Sequence, residues 1–170
     1  MKIYVIGIGL IGGSMTLDIK TLHPEAKIYG IDSNESHLQE AIALGVVDAG
    51  ATFEDLVDAD FVIVSVPVDV ALVVLPKVLD VIGENTIVFE VGSTKTPICE
   101  AVAKHPKRRN FIATHPIAGT EFSGPSAAIK GLFQGKTNII CEVEKTTFKL
   151  QEKALELFKS MGMRIRYMDP

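Results

Sequence analysis

Residues 2–13 have the sequence KIYVIGIGLIGG, a β-rich run that breaks into glycine and then re-enters an apolar, helix-forming segment. The glycines follow the spacing G-x-G-x-x-G, at Gly7, Gly9 and Gly12. In a strand–turn–helix unit, the first glycine permits a tight turn, the second lets the backbone approach a pyrophosphate, and the third lets helix and strand pack closely. Glycine turns also occur for packing alone. The dinucleotide interpretation assigns cofactor binding to Gly7, Ile8, Gly9, Leu10, Ile11 and Gly12, at a helix N-terminus.

A second predicted strand, near residues 27–32, strengthens this interpretation because it ends in Asp32, 20 positions after Gly12. At this spacing a carboxylate can accept hydrogen bonds from both hydroxyls of an adenosine ribose. The residues that follow, 33–35, include no arginine to compensate a 2′-phosphate, so NAD is favoured over NADP. The alternative is that Asp32 caps the next helix.

Short β-rich runs alternate with helical patterns along the whole chain. Strands are predicted near 2–7, 27–32, 60–66, 86–90, 110–114, 137–142 and 163–168, with a further short third strand at Val46-Val47. This alternation implies right-handed crossovers and a parallel sheet. The predicted fold class is therefore α/β, a doubly wound, mostly parallel sheet of the Rossmann type, with residues 1–170 as one NAD-binding domain.

Glycine and proline mark the ends of the predicted helices. Two apolar stripes end at Gly45 and Gly162, each suited to a left-handed C-terminal cap. Pro67 and Pro97 fit the first turns of two other helices, and Thr96 is expected to cap the second of these.

The strand at 60–66 leads to the carboxyl edge of the predicted sheet, where ligands of doubly wound folds bind. Further cofactor-binding residues are therefore expected at Ser65, Val66 and Pro67.

Composition excludes several functional classes. With 170 residues, 47% of them hydrophobic and 22% charged, the chain is expected to be an ordinary globular domain. A net charge of −4 argues against a general nucleic-acid or anionic-membrane surface, and the one basic cluster, residues 104–109, is expected to be a solvated loop. No metal-ligand cluster is predicted.

Cysteine usage favours a reducing compartment. Cys99 and Cys141 form no C-x-x-C motif and are expected in the core, within a helix and a strand respectively. The sequence shows no secretory segment and no apolar run approaching about 18 residues, so a cytoplasmic protein without a membrane segment is expected.

Two polar clusters follow predicted strands, at residues 90–95 and 114–124. In the second, Pro116 holds His115 in an extended conformation, and a neutral histidine can accept a proton from an alcohol as hydride leaves its carbon. The alternative is a structural histidine, but its position beside a cofactor cleft favours catalysis. The remaining histidines are expected to be surface or capping residues: His23, His37 and His105.

The first cluster contains Ser93 and Lys95. Ser93 could form an N-cap or a local turn bond, but Thr96 and Pro97 offer a better cap, so Ser93 is expected to contact the nicotinamide, the substrate hydroxyl or His115. For Lys95 two alternatives stay open, steadying an anionic substrate or simple solvation.

Taken together, these motifs resemble the prephenate and arogenate dehydrogenases of tyrosine biosynthesis, over essentially the whole chain. The resemblance rests on the glycine triplet with Asp32, on Gly92-Ser93-x-Lys95, and above all on residues 115–124, HPIAGTEFSG. One departure is that the family commonly has Asp where this chain has Glu90.

The resemblance implies a reaction and roles for its residues. NAD-dependent oxidative decarboxylation of prephenate gives 4-hydroxyphenylpyruvate, with His115 accepting the proton of the ring hydroxyl and Ser93 assisting. Thr120 and Glu121 are assigned to the substrate side, where Glu121 is expected to orient a loop or pair with a second domain.

The family also has an all-helical C-terminal domain, which dimerises and supplies an arginine for a substrate carboxylate. Such a domain is expected after residue 170, so a homodimer is expected only for the full-length protein. The isolated chain is expected to bind NAD and to turn over little or nothing.

Other functions stay open at this point. Prephenate and arogenate differ only in a keto or an amino side chain, so arogenate is an alternative substrate. Another NAD-dependent hydroxyacid dehydrogenase would normally use a lysine of a second domain, which the HPIAG run disfavours. A non-catalytic dinucleotide-sensing module would not need a proton acceptor beside the nicotinamide.

Overall fold

The computed structural model describes all residues, 1–170, as one eight-stranded sheet with helices on both faces. The strands are β1 Lys2–Ile6, β2 Lys27–Ile31, β3 Ala49–Gly50, β4 Phe61–Val64, β5 Ile87–Glu90, β6 Phe111–Pro116, β7 Thr137–Cys141 and β8 Arg164–Tyr167. The α-helices are α1 Leu10–Leu22, α2 Glu35–Ala43, α3 Val68–Val81, α4 Thr96–Val102 and α5 Phe148–Ser160. None of these helices combines the length and apolarity needed to cross a membrane.

The strand order is β3-β2-β1-β4-β5-β6-β7-β8, and the first six of these strands are parallel. This confirms the predicted doubly wound, mostly parallel sheet. The sheet is not parallel throughout, because β7 runs antiparallel to β6. Strand β8 is parallel to β7. The cause is the connection 117–136, which has no α-helix to carry a crossover and begins with a hydrogen bond from the Ile117 amide to the Thr137 carbonyl (2.7 Å).

Both faces of the sheet are covered, which explains why β4 is apolar at every position. One face packs on α1 and α5 and includes Ile3, Val5, Ile63, Phe89 and Ile112. The other face packs on α3 and α4 and includes Tyr4, Val62, Val64, Val88 and Phe111. Burial at both faces leaves only the ends of the strands for polar chemistry.

The expected third strand at Val46-Val47 is wrong, because β3 lies three residues later. Both valines are buried, and their amides donate to the Ala41 carbonyl (2.8 and 3.3 Å), so they close the end of α2 instead of pairing with β2. The two β-branched residues therefore lie at a helix terminus and not in a strand.

Helix termini show which capping predictions were correct. Gly45 and Gly162 follow α2 and α5 with φ of 70° and 78°, which confirms both left-handed caps. Pro97 lies in the first turn of α4 as predicted, but Pro67 precedes α3 as its N-cap. The expected cap by Thr96 is wrong, because Thr96 is the first residue of α4 and no side chain caps that helix.

The amino edge of the sheet, where β1, β4, β5 and β6 begin, is closed by side chains that join neighbouring strands. The Lys2 amide donates to Asp60 Oδ2 (2.9 Å), and Thr86 Oγ1 donates to the Ala59 carbonyl (2.6 Å). Asn110 Nδ2 donates to the carbonyls of Glu84 and Thr86 (both 2.8 Å). These bonds satisfy the backbone groups where the strands begin.

The basic cluster 104–109 was expected to be solvated, but one of its members is buried. Arg108 donates to Glu142 Oε2 (3.0 Å) and to the Phe111 carbonyl (2.9 Å), with only 7% of the residue exposed. Arg108 lies at the amino edge beside β6 and β7, where its guanidinium bonds to groups of the protein and not to solvent. His105, on the same loop, lies 3.1 Å from Asp80 Oδ1.

Candidate active site

The carboxyl edge of the sheet brings the predicted site residues to one side of the molecule. Strands β1, β4, β5 and β6 are adjacent and parallel, so the turns after them lie in a row. With strands about 4.8 Å apart, the row from β1 to β6 spans about 14 Å. Gly7 begins this row and His115 ends it.

The glycine turn after β1 needs each of its three glycines for a different reason. Gly7 has φ of 86°, and a Cβ there would overlap the Ser65 carbonyl. A Cβ at Gly12 would lie 2.5 Å from the Gly7 carbonyl oxygen, so α1 can approach β1 only without a side chain. A Cβ at Gly9 would meet nothing within 4 Å, which leaves its backbone open to a ligand.

A cavity of about 630 Å³ lies against this turn. It brings together seven of the ten predicted cofactor-binding residues: Gly7, Ile8, Gly9, Asp32, Ser65, Val66 and Pro67. The other three do not line it. Leu10 and Gly12 are buried behind the turn, and Ile11 packs against the core.

Asp32 lies at the cavity wall and organises the turn. Its carboxylate accepts hydrogen bonds from the amides of Ile8 and Asn34, both at 2.9 Å. The alternative role as a helix cap falls to Asn34, whose Oδ1 accepts from the Ser36 and His37 amides (3.0 and 3.3 Å). Asp32 therefore keeps a half-buried carboxylate at the end of β2, beside the cavity.

The glycine turn and Asp32 fit the pyrophosphate and the ribose of an adenosine diphosphate, respectively. The first turn of α1 has no acidic residue and no side-chain cap, so its positive end faces the open backbone at Gly9. The Asp32 carboxylate, at the same cavity, has the acceptor chemistry for ribose hydroxyls. The cavity residues include no lysine or arginine that would favour an additional phosphate.

His115 and Ser93 lie further along the row and do not line the 630 Å³ cavity. His115 is half-buried in β6, and Ser93 is exposed on the turn after the neighbouring strand β5. Burial lowers the pKa of His115 below 6.5, and the positive charge of Lys95 lowers it further. The imidazole is therefore neutral at pH 7 and able to accept a proton.

Lys95 is not solvated, whereas the other role considered for it from sequence, steadying an anionic substrate, stays a prediction. Its ammonium is buried, forms an ion pair with Glu90, and donates to the Thr114 carbonyl (2.6 Å). The solvated alternative is therefore wrong. Its charge nonetheless acts on the neighbouring His115.

The connection 117–136 extends the site toward the cavity. Its Ser123 and Gly124 line the same cavity as the glycine turn. The connection is held to α1 by two side chains, because Ser14 Oγ accepts from the Ile129 amide (2.9 Å) and Asp18 Oδ1 from the Gly131 amide (2.6 Å). The predicted substrate-side residues are exposed on the same connection: Thr120 and Glu121.

Nine cavity residues were not assigned to the cofactor from the sequence: Ile6, Ile31, Ser33, His37, Phe53, Val70, Val74, Ser123 and Gly124. His37 was assigned to the surface, yet it lies one helical turn after Asn34, on the helix that begins beside Asp32. The closeness of His37 to Asp32 in the sequence could have indicated that His37 lies at the cofactor cavity. No sequence pattern indicates the position of Phe53, since it precedes a single 3₁₀ turn at Glu54–Asp58.

The strand order and the glycine turn with Asp32 define a Rossmann-type domain, the class of fold that binds dinucleotides. The family described as "Prephenate dehydrogenase, nucleotide-binding domain" matches residues 15–167. The chain belongs to this family. The match begins beyond the glycine turn, so the turn independently supports the nucleotide-binding fold and not the particular family.

Individual relatives agree with the family. Prephenate dehydrogenase of Bacillus subtilis is 34% identical over 172 residues, which cover 99% of this chain and 46% of that protein. The crystal structure of prephenate dehydrogenase from A. aeolicus, in complex with hydroxyphenyl propionate and NAD+, is 30% identical, with a TM-score of 0.91. Synechocystis arogenate dehydrogenase is 27% identical, with a TM-score of 0.90.

Coverage is unequal in these comparisons. Both structures are matched over 100% of this chain but only 60% of their own. The chain thus spans about half the length of the Bacillus subtilis relative it matches.

Proposed function

We propose that this chain is the NAD-binding part of an oxidoreductase that converts prephenate to 4-hydroxyphenylpyruvate by oxidative decarboxylation. The observation that carries the proposal is the row of turns at the carboxyl edge, with the dinucleotide-fitting cavity at one end and a neutral, half-buried His115 at the other. A sensing module would have no use for this proton acceptor.

The cofactor roles follow from the contacts around the cavity. Gly7 permits the tight turn and Gly9 leaves space for the pyrophosphate, α1 directs its positive end there, and Asp32 accepts from ribose hydroxyls. When bound, NAD supplies the hydride acceptor. The crystal structure of the A. aeolicus prephenate dehydrogenase in complex with NAD+ supports NAD as the cofactor.

The chemical step requires one proton acceptor from this chain. Hydride leaves the ring carbon that bears the hydroxyl, the hydroxyl proton passes to His115, and the ring carboxylate leaves as carbon dioxide. In this proposal Ser93, on the turn after the neighbouring strand β5, hydrogen-bonds the same hydroxyl. General-base assistance of this kind contributes about 10²- to 10⁴-fold in rate.

Arogenate is the second candidate substrate, because the similarity to the Synechocystis arogenate dehydrogenase is nearly as high as that to the A. aeolicus enzyme. The two substrates carry the same ring and hydroxyl, so His115 would act alike on both. The side chain that distinguishes them would contact Thr120, Glu121 or a part of the protein outside this chain.

The relatives' greater length supports a further proposal about the whole protein. We define the complete protein as this chain together with the region that its relatives have outside the matched segment. That region would form the helical second domain, complete the substrate pocket and carry the homodimer contact. A cytoplasmic location is also proposed, in keeping with two cysteines that form no disulfide.

Cofactor choice is tested on the isolated chain by calorimetric titration with NAD and with NADP. We expect NAD to bind and NADP to bind at least about tenfold more weakly, because Asp32 would repel a 2′-phosphate. Equal binding of both cofactors would contradict the assignment of Asp32.

The reaction is tested on the complete protein by following NADH absorbance with prephenate, arogenate or a 3-hydroxyacid. We expect prephenate to be the best substrate and kcat/KM to fall as the pH drops through a His115 pKa that lies below 6.5. Preference for arogenate would select the second candidate, and turnover of the hydroxyacid alone would reject the proposed reaction. NAD binding without any turnover would favour a sensing module.

A further inference from the structure

The β5–β6 ladder ends before it reaches the two residues proposed for catalysis, Ser93 and His115. Its last pair of residues is Glu90 and Ala113, so the backbone of Thr114 extends past β5. Beyond this pair, the side chains of Glu90 and Lys95 form hydrogen bonds to the backbone of β6. The Thr114 amide donates to Glu90 Oε1 (3.2 Å), and the Thr114 carbonyl accepts from Lys95 Nζ (2.6 Å).

Glu90 also holds the turn that carries Ser93. Its Oε2 accepts from the Gly92 amide (2.8 Å), while its Oε1 accepts from Lys95 Nζ. The Glu90–Lys95 pair therefore contacts the residue directly before Ser93 and the residue directly before His115. Only 1% of the Glu90 side chain and 6% of the Lys95 side chain are exposed.

Burial makes this arrangement dependent on both partners. A charge removed from water is tolerated only when it is paired and hydrogen-bonded, and removal of one partner leaves the other uncompensated. Desolvation raises the pKa of Glu90 and lowers the pKa of Lys95, and in each case the partner's charge opposes the shift.

The titratable groups around the pair are few. Cys99 of α4 and Cys141 of β7 lie near Lys95, and burial raises the pKa of both thiols, that of Cys99 to about 12. Both thiols are therefore neutral at pH 7. Glu142 and Arg108 act on Cys99 from the amino edge, and His115 faces the ammonium of Lys95.

We propose that the Glu90–Lys95 pair positions His115 and Ser93 relative to one another, and that Glu90 and Lys95 are positioning residues for the reaction. This inference rests on the function proposed above. Neither residue lines the cofactor cavity, so the pair is expected to act on proton transfer and not on NAD binding.

The first test is an NMR titration of the His115 imidazole in the isolated chain, with the signal assigned by its loss in His115→Asn. Lys95→Met removes the cation and is expected to raise the pKa of His115. Glu90→Gln removes the anion that compensates this cation and is expected to lower it. The matched control, Glu142→Gln, breaks the Arg108–Glu142 pair at the opposite edge and is expected to leave the His115 titration unchanged.

The second test measures turnover and NAD affinity in the complete protein. Both site variants are expected to lower kcat about 100-fold, the usual consequence of misplacing catalytic groups by about 1 Å, with the dissociation constant for NAD unchanged. Their pH profiles are expected to move in opposite directions, as in the NMR titration. Glu142→Gln is expected to keep the wild-type kcat and pH profile.

The inference is overturned if the two site variants leave the His115 titration unchanged, move it in the same direction, or reduce kcat no more than Glu142→Gln does. Should Lys95→Met fail to fold, Glu90→Gln alone decides, because it preserves the side-chain shape. If the wild-type complete protein oxidises neither prephenate nor arogenate, the proposed function fails, while the NMR titration still decides whether the pair controls His115.

Discussion

The two edges of the sheet differ in whether side chains cover the ends of the strands. At the amino edge, the side chains of Asp60, Asn110 and Arg108 form hydrogen bonds to backbone groups where the strands begin. At the carboxyl edge, glycine replaces side chains at Gly7 and Gly9, and the strands end beside an open cavity.

This difference shows that the presence of a charged or polar residue at a strand end does not by itself identify a site. What separates the two edges is the open cavity beside which the strands end at the carboxyl edge. A variant at one edge can therefore serve as the control for a variant of the same residue type at the other edge. A variant at the amino edge should change stability, and a variant at the carboxyl edge should change binding or turnover.

The largest contrast is expected between two histidines. In the complete protein, His115→Asn should reduce kcat by about 10²- to 10⁴-fold, because the proton acceptor is lost. His105→Asn removes a histidine that contacts Asp80 at the amino side and should leave kcat unchanged. Both are measured by NADH formation, and equal losses in the two variants would break the comparison between the edges.

The next contrast compares two glycines. Gly12→Ala places a Cβ 2.5 Å from the Gly7 carbonyl oxygen, and such overpacking costs about 1–3 kcal/mol by displacing α1 from the glycine turn. We expect about a tenfold or greater loss of NAD affinity by calorimetry. Gly45→Ala strains a φ of 70° and should cost about 1–2 kcal/mol of stability with unchanged NAD affinity. Unchanged affinity in Gly12→Ala would contradict the role of the turn.

Two aspartates provide a smaller contrast. Asp32→Asn is expected to weaken NAD binding about tenfold and to narrow the preference over NADP, since a charge-assisted hydrogen bond to ribose is lost. Asp60→Asn, at the amino edge, is expected to lower the midpoint of urea unfolding without altering either affinity. A change of cofactor preference in Asp60→Asn would show that the two edges are coupled.

The smallest effect concerns acid stability. Burial would raise the pKa of Glu142, but hydrogen bonds from Lys145 and Arg108 outweigh burial and hold this pKa below 4.5. The folded protein therefore resists protonation of Glu142, and stability is lost as the pH falls below 4.5. Urea unfolding across this range should show Glu142→Gln losing less stability than the wild type, by on the order of 1 kcal/mol. Parallel curves for the two proteins would refute this contribution.

Short-range features of the fold and site were predictable from the sequence. The glycine turn, Asp32 and the left-handed positions at Gly45 and Gly162 each depend on a few neighbouring residues and on backbone sterics. The strand runs were also found, because burial on both faces gives continuous apolar segments.

Features that depend on distant partners were not predictable in this way. Val46 and Val47 have strand-like side chains, but their amides bond to the end of α2. The burial of Lys95 depends on a hydrogen bond to the carbonyl of Thr114, 19 positions away. The direction of β7 likewise follows from a connection that pairs at its two ends, a contact that no local pattern encodes.

The anchoring of the 117–136 connection to α1 has one consequence for how the domain tolerates change. Ser14 and Asp18 hold residues 129 and 131, while the other end of the connection is fixed by Ile117. The span between these anchors forms a wall of the nucleotide cavity through Ser123 and Gly124. Its length is therefore set by the width of the cavity, and inserted residues would move that wall even though they lie on the surface.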